Sequence, residues 1–175
     1  MVSDVTWSVA GDAQVKRRFT RLETACDDFT APLTAIMGII EDETSHQFSA
    51  EGDPRWPALT KRYAARKRRR RGFATMLIAS GALRASLVRR GVRGAIAKVT
   101  KTEMRRGSSL TVGKRRRWNL ALIHYLGAPN VPREGGKGLP ARPMLRLRRQ
   151  AQSGIVGAFR LHLWERGELS SEYAP

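Results

Sequence analysis

A single cysteine, Cys26, leaves the chain without an internal disulfide or a cysteine-based metal cluster, and a reducing cytoplasm is the expected compartment. No apolar run reaches the ~18 residues that a membrane span needs. Residues 1–12, MVSDVTWSVAGD, lack the basic start and long apolar stretch of a secretory signal. Neither membrane insertion nor export is expected. His46, His124 and His162 lie far apart with no HxxxH or HExxH spacing, so no histidine-held metal is expected. The phosphate-cradling GxxxxGK[ST] loop is missing, and Gly135-Gly136-Lys137-Gly138 has neither its spacing nor its hydroxyl. Ser80 does not sit in a GxSxG elbow. The acidic residues show no spacing that would pair two catalytic carboxylates. The sequence reads as non-enzymatic, with no cofactor and no internal repeat.

Beyond residue 60 negative charge is also scarce. Residues 1–60 carry 5 Lys/Arg against 10 Asp/Glu, whereas residues 61–175 carry 28 against 5. The net charge of +18 therefore belongs to the later part of the chain, which points to a polyanion or an acidic partner surface. A solvated basic face that only keeps the protein soluble is the plainer alternative. With 175 residues, 41% of them hydrophobic, the chain is long enough for one domain with a real core.

The sequence is organised around residues 48–87. Pro54 and Pro57 in Gly52-Asp53-Pro54-Arg55-Trp56-Pro57 fix φ and push the residues before them toward extended geometry, giving a stiff aromatic turn. Trp56 is expected to anchor that turn, with its indole N–H on a partner. Lys61 to Arg71 follows, eight of whose eleven residues are basic. It reads as a helix with Tyr63, Ala64 and Lys67 turned inward. The run Phe73 to Ile78, closed by Ser80-Gly81, leads into Leu83, Ala85 and Leu87, which alternate as a strand would.

Before this block, Val5, Trp7 and Val9 read as a short strand, and Asp12 as the cap of a helix striped by Val15, Phe19, Leu22 and Cys26. On that stripe Cys26 is expected to fill the core. Asp27-Asp28 break the helix. Thr30 and Pro32 start a second one, with Leu33, Ile36, Met37, Ile40, Thr44 and Phe48 inward and Glu41, Asp42 and Glu43 outward. After the block, Ile96 to Thr100 and Leu110 to Val112 read as antiparallel strands. Gly91 to Gly94 and Arg105 to Ser108 read as the turns joining them. Trp118 to Leu126 is a short helix or turn, and Ala128 to Gly138 a long loop. Two prolines three apart make Leu139 to Leu145 extended. Ala151, Ile155, Phe159 and Leu163 line a closing helix over Gln150–Glu165, before a frayed SSEYAP tail.

Four features stand in order. They are Glu51-Gly52-x-Pro54-Arg55-Trp56-Pro57-x-Leu59, Ser80-Gly81-x-Leu83-x-x-Ser86-Leu87, Val112-Gly113 with Ile123-His124-x-x-Gly127, and Leu139-Pro140-Ala141-Arg142-Pro143. Together they resemble the phage virion morphogenesis family, the tail completion proteins of contractile-tailed bacteriophages. The resemblance covers about Phe48 to Leu147. It departs at Asn119-Leu120, His124-Tyr125-Leu126-Gly127 and Met144, where the family usually has Tyr-Ala, His-Gln-Phe-Gly and Phe.

The resemblance implies one tail-completion domain over 1–175, with an N-terminal strand and helices in 1–47 and a C-terminal helix and tail in 148–175. It implies an α/β (α+β) fold, a twisted, mostly antiparallel sheet with helices packed on one face. It further implies a structural protein that assembles as a hexameric ring at the head-proximal end of the tail, ending tube growth and joining head to tail. Partners would be other copies, tail tube and sheath or head–tail connector proteins, and phage DNA in the channel. Such a protein would be assembled in the host bacterial cytoplasm and end in the virion.

On this reading Lys61, Arg62, Arg66, Lys67, Arg68, Arg69, Arg70 and Arg71 face DNA or an acidic partner. Trp56, Pro57, Gly81 and His124 are structural anchors. Pro140, Arg142, Pro143 and Met144 lie at a subunit interface, with Arg142 reaching Glu41–Glu43 of the next copy, or belong to a linker strand that completes the chain's own sheet. The alternatives are a helix-turn-helix-like nucleic-acid-binding module turning at Ala79–Arg84, and, on composition alone, a ribosome-associated protein.

Overall fold

The computed structural model describes residues 12–113, 117–128 and 138–167. The strand expected over Val5–Val9, most of the loop from Ala128 to Gly138 and the SSEYAP tail lie outside them. Six helices and two small antiparallel sheets make an α+β fold among the described residues. The helices are α1 (Asp12–Asp27), α2 (Thr30–Ser49), α3 (Lys61–Arg71), α4 (Ala82–Val88), α5 (Leu120–Leu126) and α6 (Arg149–Gly167). The strands are β1 (Ala95–Val99), β2 (Met104–Ser108), β3 (Thr111–Val112) and β4 (Trp118–Asn119).

Helix α2 is the central element, touching α6 along one side and α4, β1 and β2 along another. It starts where the Asp28 carboxylate accepts the Thr30 N–H at 2.9 Å, so Asp28 does the capping expected of the Thr30 hydroxyl. Those hydrogen bonds hold Asp28 below the usual carboxylate range. The corner is fixed on α6 by an edge-to-face contact of Phe29 with Phe159, 5.7 Å between centroids, and by His162 Nε2, which donates to the Ala25 carbonyl at 2.9 Å.

The expected apolar stripe of α1 is not buried. Val15 is 50% and Phe19 67% exposed, and Cys26 is exposed while its neighbour Ala25 is fully buried. Helix α1 meets α6 along a narrow edge, and no described element covers its other side.

Two further expectations reverse. Leu83 to Leu87 is the helix α4, not a strand: Leu83 and Ser86 are buried and Leu87 half-buried, the i, i+3, i+4 face of a helix. Five residues alternating in polarity fit both periods, and Ala, Leu and Arg are strong helix formers. Arg105 to Ser108 is not a turn but most of β2, paired with β1 from Ala95↔Ser108 to Val99↔Met104. The turn lies at residues 100–103, where Thr100 N–H donates to the Glu103 carbonyl at 2.8 Å and Glu103 N–H to Thr100 Oγ1 at 3.1 Å. Among the described residues the strands thus form two separate two-stranded antiparallel sheets, smaller than the single twisted sheet expected.

Glu43, expected outward, is buried and forked by Arg148, with Nη2 2.8 Å from Oε1 and Nε 3.0 Å from Oε2. These bonds hold its carboxyl below the usual range despite burial. Glu41 takes Arg90 in a similar fork. Phe48, Trp56, Met76, Leu83 and Met144 form the core at the end of α2.

Candidate functional site

The proline turn is built from α2. Gln47, 1% exposed, accepts the Asp53 N–H on Oε1 at 2.9 Å and donates to the Asp53 carbonyl from Nε2 at 3.3 Å. Gly52 has φ +99°, and a Cβ there would stand 2.6 Å from Trp56, so only glycine lets the chain fold back over the indole. Trp56 is 4% exposed, stacks edge-to-face on Phe48 and donates Nε1–H to the Pro143 carbonyl at 2.9 Å. Pro57, exposed on its ring, offers its carbonyl inward to Arg142, which donates from Nε at 3.2 Å and Nη2 at 2.8 Å.

The same arginine ties in α5. Its backbone N–H donates to the His124 carbonyl at 2.7 Å, and Ala128 and Leu139 exchange backbone hydrogen bonds at 2.8 Å. Gly127, φ +77°, ends α5 here; a Cβ would lie 2.8 Å from both the Ala141 nitrogen and the Leu139 oxygen. The His124-x-x-Gly127 spacing thus allows α5 to meet the extended segment. Burial and the Arg142 charge hold His124 below the usual histidine range, and its Nδ1 is buried with no hydrogen-bond partner.

Arg142 and Met144, expected at a subunit interface, are 2% and 3% exposed within the chain's own fold. The two prolines hold the segment extended, so side chains alternate: Ala141 and Pro143 point out, Arg142 and Met144 in. Pro140 is half-buried. Glu41 and Glu43 are already occupied by Arg90 and Arg148, so the expected pairing of Arg142 with them across copies does not hold.

Helix α3 presents two faces. Thr60 caps its start, accepting the Tyr63 N–H, and Gly72 closes its end in the left-handed conformation. Four arginines in the last turn lie where the helix dipole favours cations. Inward, Lys67 is 8% exposed, donates Nζ–H to the Thr75 carbonyl and lies 5.8 Å from the Phe73 ring centre. Desolvation lowers its pKa, and this buried ammonium cannot face DNA as expected. Arg66 is half-buried over the Tyr63 ring. Outward, Lys61, Arg62, Arg68, Arg69, Arg70 and Arg71 are exposed, and no ion pair to them is formed among the described residues.

Arg106 was not foreseen. It donates to the carbonyls of Ser86, Ile96 and Arg89 and lies 3.0 Å from Glu41, joining α4, β1 and α2. Its Nε points poorly at that carboxylate and makes no hydrogen bond. Only the reading of Arg105–Ser108 as a strand would have turned it inward. Among the described residues no group of His, Cys, Asp and Glu could hold a metal, and no helix is long and apolar enough to cross a membrane.

No curated protein and no solved structure matches the chain. The model of the phage virion morphogenesis family matches residues 10–164, which includes all four motif stretches and every helix but the last residues of α6. The chain therefore belongs to the phage virion morphogenesis family and serves in the structure or assembly of the bacteriophage virion.

Proposed function

We propose that the protein is a non-enzymatic structural component that forms a ring, a hexamer, at the head-proximal end of a phage tail. There it ends tube growth and joins tail to head around the DNA channel. The observation that carries this reading is the outward face of α3. Six exposed cations on an eleven-residue helix have no counter-charge among the described residues of their own chain. A surface of that kind is matched by a polyanion, and DNA in a conduit is one that passes without being read. The uncovered apolar stripe of α1, with Val15 and Phe19 exposed, is consistent with burial against another copy.

The helix-turn-helix alternative has weaker support. Residues 82–88 are helical as it requires, yet Ala82 alone among them is exposed, and Arg84 turns toward Ser45. A helix covered in this way has no face to lay in a major groove. The test is assembly in vitro. Wild-type chain should form closed rings in negative-stain images and restore joining of tails to filled heads. The variant with Arg68 to Arg71 all changed to Gln should lose joining. A chain that stays monomeric on purified tails would refute the ring.

A further inference from the structure

Beneath α3 lies a cavity of about 460 Å³ that the proposed assembly role leaves unused. The motif stretches meet in its wall: Leu59 after the proline turn, Gly81 and Leu83 at the start of α4, His124 of α5, and Arg142. Its lining combines two chemistries: five leucines, Leu59, Leu77, Leu83, Leu120 and Leu139, and four nitrogen-bearing side chains, Arg66, Lys67, Arg142 and His124. No Asp or Glu among the described residues lines it. Glu51 acts on Lys67 from outside this wall and already accepts the Met76 N–H at 2.8 Å.

Arg142 acts against positive charge on both Lys67 and His124. Burial and Arg142 both disfavour a proton on Lys67 and on His124, and His124 Nδ1 is buried without a hydrogen-bond partner. An anion entering such a site would relieve that repulsion in surroundings where water screens it poorly.

We propose that this cavity receives a carboxylate flanked by an aliphatic side chain, presented by an acidic segment of a partner protein. The carboxylate lies in the field of Arg66, Lys67 and Arg142, and the aliphatic group rests on the leucines. The volume is that of a small-molecule pocket, typically ~300–1,000 Å³, which admits one or two side chains and not a duplex. Arg142 is too deeply buried for a phosphate held in stacked DNA to approach. A free phosphate shares the charge but has no use for the leucines. The proposal does not depend on what the outer face of α3 binds.

The test uses the purified full chain with three probes: 4-methylpentanoate, which joins a leucine-like group to a carboxylate, its uncharged amide, and inorganic phosphate. Saturation-transfer NMR should give saturable binding of the carboxylate, with the amide about tenfold weaker or worse. The His124 titration should move upward when the carboxylate is bound. Arg66→Gln and Ala79→Trp, at the rim, should each weaken binding about fivefold or more without lowering the melting temperature; either variant suffices if the other misfolds. Equal binding of acid and amide would overturn the proposal, as would the absence of saturable binding to the folded chain. Phosphate displacing the carboxylate at equal concentration would replace the protein partner with a phosphate ligand.

Discussion

The Arg142 guanidinium donates through both Nε and Nη2 to the Pro57 carbonyl, 85 residues earlier in the chain. One residue further on, the Pro143 carbonyl takes the Trp56 indole N–H. The proline turn and the extended segment therefore hold each other reciprocally. Trp56→Phe keeps an aromatic ring but removes the pyrrole half and its hydrogen bond, so it should cost about 2 kcal/mol, and Trp56→Ala about 3–5 kcal/mol. Arg142→Met removes both bonds to Pro57 and should cost about 1.5–3 kcal/mol. Denaturant midpoints would measure all three. Equal midpoints for wild type and Trp56→Ala would refute the anchor.

Glu43 links stability to pH. Its folded carboxyl lies below its ordinary value, chiefly because Arg148 donates to it. The stability it contributes is therefore present above the unfolded carboxylate pKa and is lost as pH falls through the folded one. Glu43→Gln should lower the melting temperature at pH 7 and flatten its decline in acid. A decline parallel to that of wild type would show that Glu43 does not govern acid sensitivity.

Gly127 and Gly72 both have positive φ, but Gly72 is left-handed helical (ψ −12°) whereas Gly127, at ψ 173°, lies in a region open essentially to glycine alone, and their surroundings differ too. Beside Gly127 stand the backbone atoms of Leu139 and Ala141, whereas nothing approaches Gly72. Gly72→Ala should cost about 1 kcal/mol, the conformational penalty alone. Gly127→Ala should cost distinctly more, because the backbone must also move. Comparable losses from the two would show that α5 and the extended segment are not in close contact.

How far the sequence was legible follows from what kind of signal each residue carries. The α3 helix, the stiff Trp56 turn and the extended Leu139–Leu145 segment were readable because capping, proline geometry and helical spacing act locally. The α1 stripe was readable as a helix face but not as an exposed one, since periodicity does not tell what covers a face. Leu83–Leu87 alternates over too few residues to separate the two periods, and Gly107 made a strand look like a turn. The site was least legible. Helical spacing turned Lys67 inward, but its Thr75 carbonyl partner was not readable, and that Arg142 points inward depends on the Pro57 carbonyl; a backbone oxygen leaves no mark in the sequence. The convergence of four motif stretches on one cavity is likewise a property of the fold alone.

A salt titration of binding to random duplex DNA shows whether the exposed cations of α3 engage a polyanion. Each phosphate neutralised contributes about −0.9 to the slope of log K against log salt. The purified protein should show a slope of several phosphates, independent of base sequence. Changing Arg68 to Arg71 to Gln should reduce it markedly, and Lys67→Met should leave it unchanged because that ammonium is buried. No binding to DNA even at low salt, with head joining still lost in the Gln variant, would contradict that engagement and assign the basic face to an acidic protein neighbour.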